Sequence, residues 1–364
     1  MNKRAAAIVV LGILTGAAQA QSSVTVFGIV DMVVSKMNGG QSNLSFLNDW
    51  QIGRRDVWTA RSTGSSRLGF RGTEDLGDGI KASFFFDHRF QPDTGGIEPR
   101  DGFTGTTPKP GFWNGQSYVG LGSPSLGEIR LGRQLVPAFY VGVIVDPFGY
   151  DFSVAGGGAF TRGGSAVSTS YNAVSYLSPN LGGFTAHLLY GAGEGGAAAV
   201  GAPGVGNNIG INLQYAGGPL WLGLAYNDAR REDAPLKNRQ MVFGATYDFG
   251  MAKLIAGYAT GQNNVAGNPK TKTMLLGAIA PVGLGRIKAL VARYDAAVGQ
   301  NPNASPFSPY NAFGYTNGVD TTKLGLGYEH FLSKRTSLHG EVGSAKTPGF
   351  SRSTGVEAGV RHVF

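Results

Sequence analysis

From residue 23 onward, apolar and polar side chains alternate in runs of roughly ten positions, the period of a β-strand with two unlike faces. Leu220, Leu222, Leu224 and Tyr226 share one face of one run. Ala252, Leu254, Ala256 and Tyr258 share one face of another, with Lys253 opposite. In 81–89, Ala82, Phe84, Phe86 and His88 take one side, and Lys81, Ser83, Phe85, Asp87 and Arg89 take the other. Val356, Ala358, Val360 and Phe364 line one face of the final run, opposite Glu357, Gly359 and Arg361. A soluble sandwich keeps the inner face of each sheet dry and apolar. Charges opposite an apolar face suit a wall between lipid and water.

The connections come in two sizes that alternate along the chain. Short ones include Ser123-Pro124-Ser125-Leu126, Gly217-Gly218 and Val282-Gly283; long ones include 37–54, 91–110, 135–166 and 296–319. The segments between them make sixteen strands, the second over 55–73 and the fourth over 111–122. An even number brings both ends of the barrel to one side. Unpaired backbone groups in hydrocarbon cost several kcal/mol each, so a lipid-facing sheet must close. The expected fold class is all-β: a transmembrane antiparallel β-barrel with short turns at one rim and long loops at the other.

Composition agrees. There are 59 glycines in 364 residues, well above the usual share of about 7%. They fall as Gly-x-Gly within apolar stretches, as in Leu324-Gly325-Leu326-Gly327-Tyr328, which disfavours helix. The chain has no cysteine, so disulfides contribute nothing. Lys3 and Arg4, the apolar run 5–14 and Ala18-Gln19-Ala20 have the order of a secretory signal peptide over 1–20. The barrel domain is then 21–364.

The net charge of +8 and pI near 9.6 would suit a nucleic-acid binder. The charges are spread over alternate strand positions rather than gathered in a patch, so no nucleic-acid partner is expected. The histidines (His88, His187, His330, His339 and His362) are scattered over different strands. There is no Gly-x-Ser-x-Gly elbow, no cluster with metal-ligand spacing, and no helix after the Gly-x-Gly pairs. No enzyme activity, metal or cofactor is expected.

Several segments resemble one family in its own order. Ser23-Val24-Thr25-Val26-Phe27-Gly28-Ile29-Val30-Asp31 is similar to the first strand of the Gram-negative general porins of β-proteobacteria. Ser65-Ser66-Arg67-Leu68-Gly69-Phe70-Arg71-Gly72-Thr73-Glu74-Asp75-Leu76-Gly77 resembles their second strand and first turn. Tyr118-Val119-Gly120-Leu121, Leu131-Gly132-Arg133-Gln134, Asn172-Ala173-Val174-Ser175-Tyr176-Leu177-Ser178-Pro179 and Val360-Arg361-His362-Val363-Phe364 continue the resemblance to the last residue. It implies a sixteen-stranded homotrimer in the outer membrane, in contact with lipid and lipopolysaccharide. It also implies an inward-folded third extracellular loop at 135–166, where Val145-Asp146-Pro147-Phe148-Gly149-Tyr150-Asp151 is similar to the constriction-loop motif.

The implied function is passive diffusion of small hydrophilic solutes and inorganic anions. A narrow aqueous passage between low-dielectric walls focuses charge, and rings of Arg and Lys favour anions. The resemblance puts Arg67 and Arg133 at the constriction. Arg71 and Lys81 share the parity of Arg67, and Arg61 extends the ladder. Asp146 and Asp151 form the acidic loop side and would set a transverse field across the pore. Phe364, the terminal aromatic, matches the signal read by the outer-membrane assembly machinery. Near strand six the chain departs from the family: Ser168-Thr169-Ser170-Tyr171 stands where relatives carry an Arg, and the nearest is Arg162. A substrate-selective channel for phosphate or small organic acids and a loop-mediated adhesin are the alternatives.

Overall fold

The computed structural model describes residues 23–38, 40, 56–63, 66–98, 111–149, 153–157, 168–192, 207–230, 237–263, 270–295 and 320–364. The expected signal peptide, Asp151 and Arg162 lie outside the described residues. The strands are β1 (Ser23–Met37), β2 (Trp58–Arg61), β3 (Arg67–Gly77), β4 (Ile80–Arg89), β5 (Ser117–Ser123), β6 (Gly127–Leu135), β7 (Thr169–Leu177), β8 (Phe184–Gly191) and β9 (Asn208–Gly217). Then follow β10 (Leu220–Arg230), β11 (Lys237–Asp248), β12 (Lys253–Asn263), β13 (Lys270–Val282), β14 (Gly285–Asp295), β15 (Thr321–Phe331), β16 (Thr336–Lys346) and β17 (Ser353–Val363). One short helix, α1 (Pro137–Ile144), follows β6.

These seventeen strands build sixteen staves, because β2 and β3 are two pieces of one. Ile29 pairs with Arg67 and Val33 with Arg61, so two extra residues sit on the second stave between those pairs. The expected continuous strand 55–73 is broken there for a local reason. The Asp31 carboxylate accepts from the Thr63 amide (2.9 Å) and hydroxyl (2.6 Å), and the Asp31 amide donates to Ser66 Oγ (3.0 Å). Side chains thus satisfy the backbone where the ladder is interrupted. The fourth strand also starts later than expected, at Ser117.

All neighbours in the wall are antiparallel. β17 closes it by pairing with β1 from Ile29↔Val363 to Met37↔Gly355. Phe364 extends the seam: its amide donates to the Gly28 carbonyl (3.1 Å), and the Gly28 amide donates to its carbonyl (3.0 Å). Closure leaves no edge to meet lipid. The short turns fall where glycine and turn residues predict them. After β3, Asp78 (φ 51°) and Gly79 (φ 76°) take the left-handed conformations that a two-residue hairpin turn needs.

The faces sort as the alternation requires. On β15, Leu324, Leu326 and Tyr328 are exposed, while Lys323, Gly325, Gly327 and Glu329 are buried. The same holds on β13, where Met274 and Leu276 are exposed and Thr273 and Leu275 buried. The exposed aliphatic band is the face that suits hydrocarbon, and the opposite face is the lumen.

Candidate pore-lining site

The polar face of the wall is partly covered by the segment after β6. Val136, Ala138 and Val141, at and within α1, pack on Ala225, Ala229, Val242 and Ala259 of β10–β12. Val145, Phe148 and Ala155 continue over Ile255, Leu275, Leu290, Ala292 and Tyr294 of β12–β14. Val154 ends the run against Met37 and Ala345. All these wall residues share the parity of the lumen face, which is why Leu275 and Leu290 can be apolar there.

Two glycines explain how close the segment lies. A Cβ on Gly343 would meet the Val154 carbonyl, and one on Gly325 the Ala155 carbonyl. Only glycine leaves room for backbone to rest on backbone at those points. The Gly-x-Gly pattern of β15 therefore marks the seat of this segment.

Polar contacts fasten it. Asp146 is 3% exposed; its carboxylate accepts from the amides of Phe148 (3.0 Å) and Gly157 (3.0 Å). Lys323 Nζ donates to the Gly156 carbonyl. The Val154 amide donates to Glu357 Oε1 (2.9 Å), and the other oxygen of Glu357 pairs with Arg61 Nη2. Arg61 Nε also donates to Ser35 Oγ (3.0 Å).

The basic positions read from the sequence therefore divide. Arg61 is a buried strut that neutralises Glu357 and braces the segment, not an open lumen charge. Arg67 lies on the lumen face, half-buried, across from Ile29 and Arg89. Arg71 and Lys81 share that face and are exposed. Arg133 is half-buried and pairs with Ser117 where the β6–β7 ladder shifts register between Gly132 and Gln134. Its guanidinium donates to the carbonyls of Gly115 (2.8 Å) and Asn114 (2.8 Å) and lies 4.3 Å over the Tyr171 ring. Arg130 of the same strand has lumen parity and pairs with Gly120 across the ladder. Asp146 is a buried loop fastener rather than an acidic group facing the passage. Phe364 is exposed on the outer face, its ring against Gly28.

Sequence reasoning does not find several lumen-facing pairs. Asp87 binds Arg89 (2.8 Å), Glu128 binds Arg130 (2.7 Å), and Glu329 binds Arg286 (2.7 Å) and Lys288 (2.8 Å). Asp31 binds Arg361 (2.8 Å) and faces His339 (3.5 Å). Strand parity alone marks Asp87, Arg89, Glu357 and Arg361 as facing water. It gives no cross-strand distances, so the pairing is not legible from it. The consequence is electrostatic. Asp31, Asp87, Glu128, Glu329 and Glu357 each sit against a cation, whereas among the described residues no carboxylate lies within ion-pair distance of Arg71 or Lys81.

A closed barrel with an apolar outside, a charged inside and an inserted segment defines a water-lined membrane channel. The Gram-negative porin family model matches residues 5–349, and the chain belongs to that family. It is 33% identical over 399 aligned residues to outer membrane porin protein 32 of Delftia acidovorans, with both chains covered in full. It is 31% identical over 424 aligned residues to an outer membrane porin protein of Bordetella pertussis, again covering both in full. The solved anion-selective porin from Comamonas acidovorans superposes with a TM-score of 0.73 at 30% identity, covering 94% of this chain and all of that one. The chain is thus an outer-membrane porin, a channel and not an enzyme.

Proposed function

We propose that this porin is a diffusion channel for small hydrophilic solutes that prefers anions, with Arg71 and Lys81 supplying the open positive wall and Arg67 beside them on the same face. The observation that carries the reading is the pattern of pairing on the lumen face: Asp31, Asp87, Glu128, Glu329 and Glu357 each sit against a cation, while Arg71 is exposed with no carboxylate among the described residues within ion-pair distance and exposed Lys81 faces exposed Asp75 across the ladder. Residual positive charge raises the local anion concentration and lowers that of cations. The anion-selective character in the name of the Comamonas relative agrees with this.

In this reading residues 136–149 and 153–157 narrow the passage, leaving the wall of β3–β6 as the side that solutes pass. Arg61, Asp146, Lys323 and Glu357 hold that segment in place. Arg133 acts at the loop rim, and Asp151 belongs to the same loop. The working unit is a homotrimer seated among lipid and lipopolysaccharide, and Phe364 is the aromatic read by the assembly machinery. The test is reversal potential in a planar bilayer under a KCl gradient. Chloride preference is expected; cation preference overturns the charge assignment.

A further inference from the structure

Lumen faces of wide barrels are polar, yet three aromatic rings stand side by side on this one. Phe27 of β1, Phe85 of β4 and Tyr118 of β5 all have lumen parity, alternating with outward Val26, Phe84 and Val119. Phe27 reaches over the bare backbone of Gly69, where a Cβ would strike its ring. That brings it 5.0 Å from Phe85, which stacks on Tyr118 at 5.7 Å and 6°. A guanidinium closes each end: Arg71 lies 5.4 Å over Phe27 and Arg130 lies 4.7 Å over Tyr118. The two ends differ. Arg130 is occupied by Glu128 through two hydrogen bonds (2.9 and 2.7 Å). Arg71 is exposed and pairs directly across the ladder with Phe85.

We infer that this stripe is a solute-binding subsite for planar aromatic carboxylates. This rests on the reading of the chain as a pore whose open wall carries Arg71. Because Tyr118, Arg71 and the two rings themselves occupy the faces of Phe27 and Phe85, a bound aromatic ring packs edge-to-face against them, while its carboxylate takes two parallel N–H bonds from Arg71. An inorganic anion gains only the charge. An aliphatic acid of equal size gains the charge and the apolar contact but not the ring geometry. The stripe then sorts anions by shape after the field has sorted them by sign.

The test is titration of single-channel chloride conductance of the full chain in a planar bilayer with sodium benzoate and, separately, sodium cyclohexanecarboxylate. The two share charge and ring size. Benzoate is expected to block with a half-concentration about three- to tenfold lower. Phe85→Leu and Phe27→Leu are expected to remove that difference and leave chloride preference intact. Equal blocking by the two acids in the wild type overturns the proposal and needs no variant to fold. A difference that survives in both leucine variants overturns the residue assignment. A wild type without KCl conductance overturns the pore reading itself, a result distinct from conductance with equal block.

Discussion

Arg71 and Arg61 lie on the lumen face of the same stave, yet removing their charges should have opposite consequences. Arg71 is exposed and has no carboxylate partner among the described residues. One unit charge in water at about 8 Å from a passing ion contributes roughly 0.5 kcal/mol. Screening at 0.15 M, where the Debye length is also about 8 Å, reduces this to about 0.2 kcal/mol. Low-dielectric walls act in the other direction. Because chloride and potassium feel opposite signs, their permeability ratio changes by twice the energy, about two- to fivefold. Arg71→Gln should lower PCl/PK by that factor in roughly 0.1 M KCl. The change should fade toward about 1 M, where the Debye length is about 3 Å. Arg61 and Glu357 form a neutral buried pair, so the double variant Arg61→Gln/Glu357→Gln should leave PCl/PK near the wild-type value. The assay is reversal potential under KCl gradients at several mean concentrations. An unchanged potential in Arg71→Gln, with a shifted one in the double variant, would refute the division into open and paired charges.

Three further outcomes follow from the seat of residues 136–149 and 153–157 on the wall. Gly343→Ala puts a Cβ into the Val154 carbonyl; overpacking of this kind costs about 1–3 kcal/mol, and thermal unfolding at lower temperature with noisier open-channel current should report it. Asp146→Asn keeps one acceptor for the amides of Phe148 and Gly157 but loses the charge. It should destabilise the segment by about 1–3 kcal/mol, visible as faster protease cleavage in the loop, with a smaller change in PCl/PK than Arg71→Gln. Arg61→Gln alone leaves Glu357 buried without its cation, at a cost of roughly 3–5 kcal/mol, and should lower the melting temperature more than the double variant does.

The barrel is legible in the sequence because its physics is local. Period-two alternation and turn glycines carry parity and strand number, and a hydrocarbon surround forces closure. The break between the end of β2 at Arg61 and the start of β3 at Arg67 is not legible, since it depends on Asp31 reaching Thr63 and Ser66 from a different strand. The short helix α1 escapes for a related reason: Pro137–Ile144 has no polar face, and it is held by packing against β10–β12.

The site divides along the same line. Parity places Arg67, Arg71 and Lys81 on the wet face, and the structure puts them there. For Arg133 parity gives no answer, because the β6–β7 ladder shifts register between Gly132 and Gln134, on either side of it. Which wet-face charges stay open is a different kind of fact. Arg61 and Arg71 are both inward arginines; only the position of Glu357, almost 300 residues away in sequence (|i−j| = 296), separates a strut from a pore charge. Inward glycines carry the complementary signal. Gly325 and Gly343 look like weak strand residues until the Ala155 and Val154 carbonyls are seen resting on them. Gly325 and Gly343 therefore mark where the lumen segment docks, whereas Gly69, on the same face, makes room for the Phe27 ring instead.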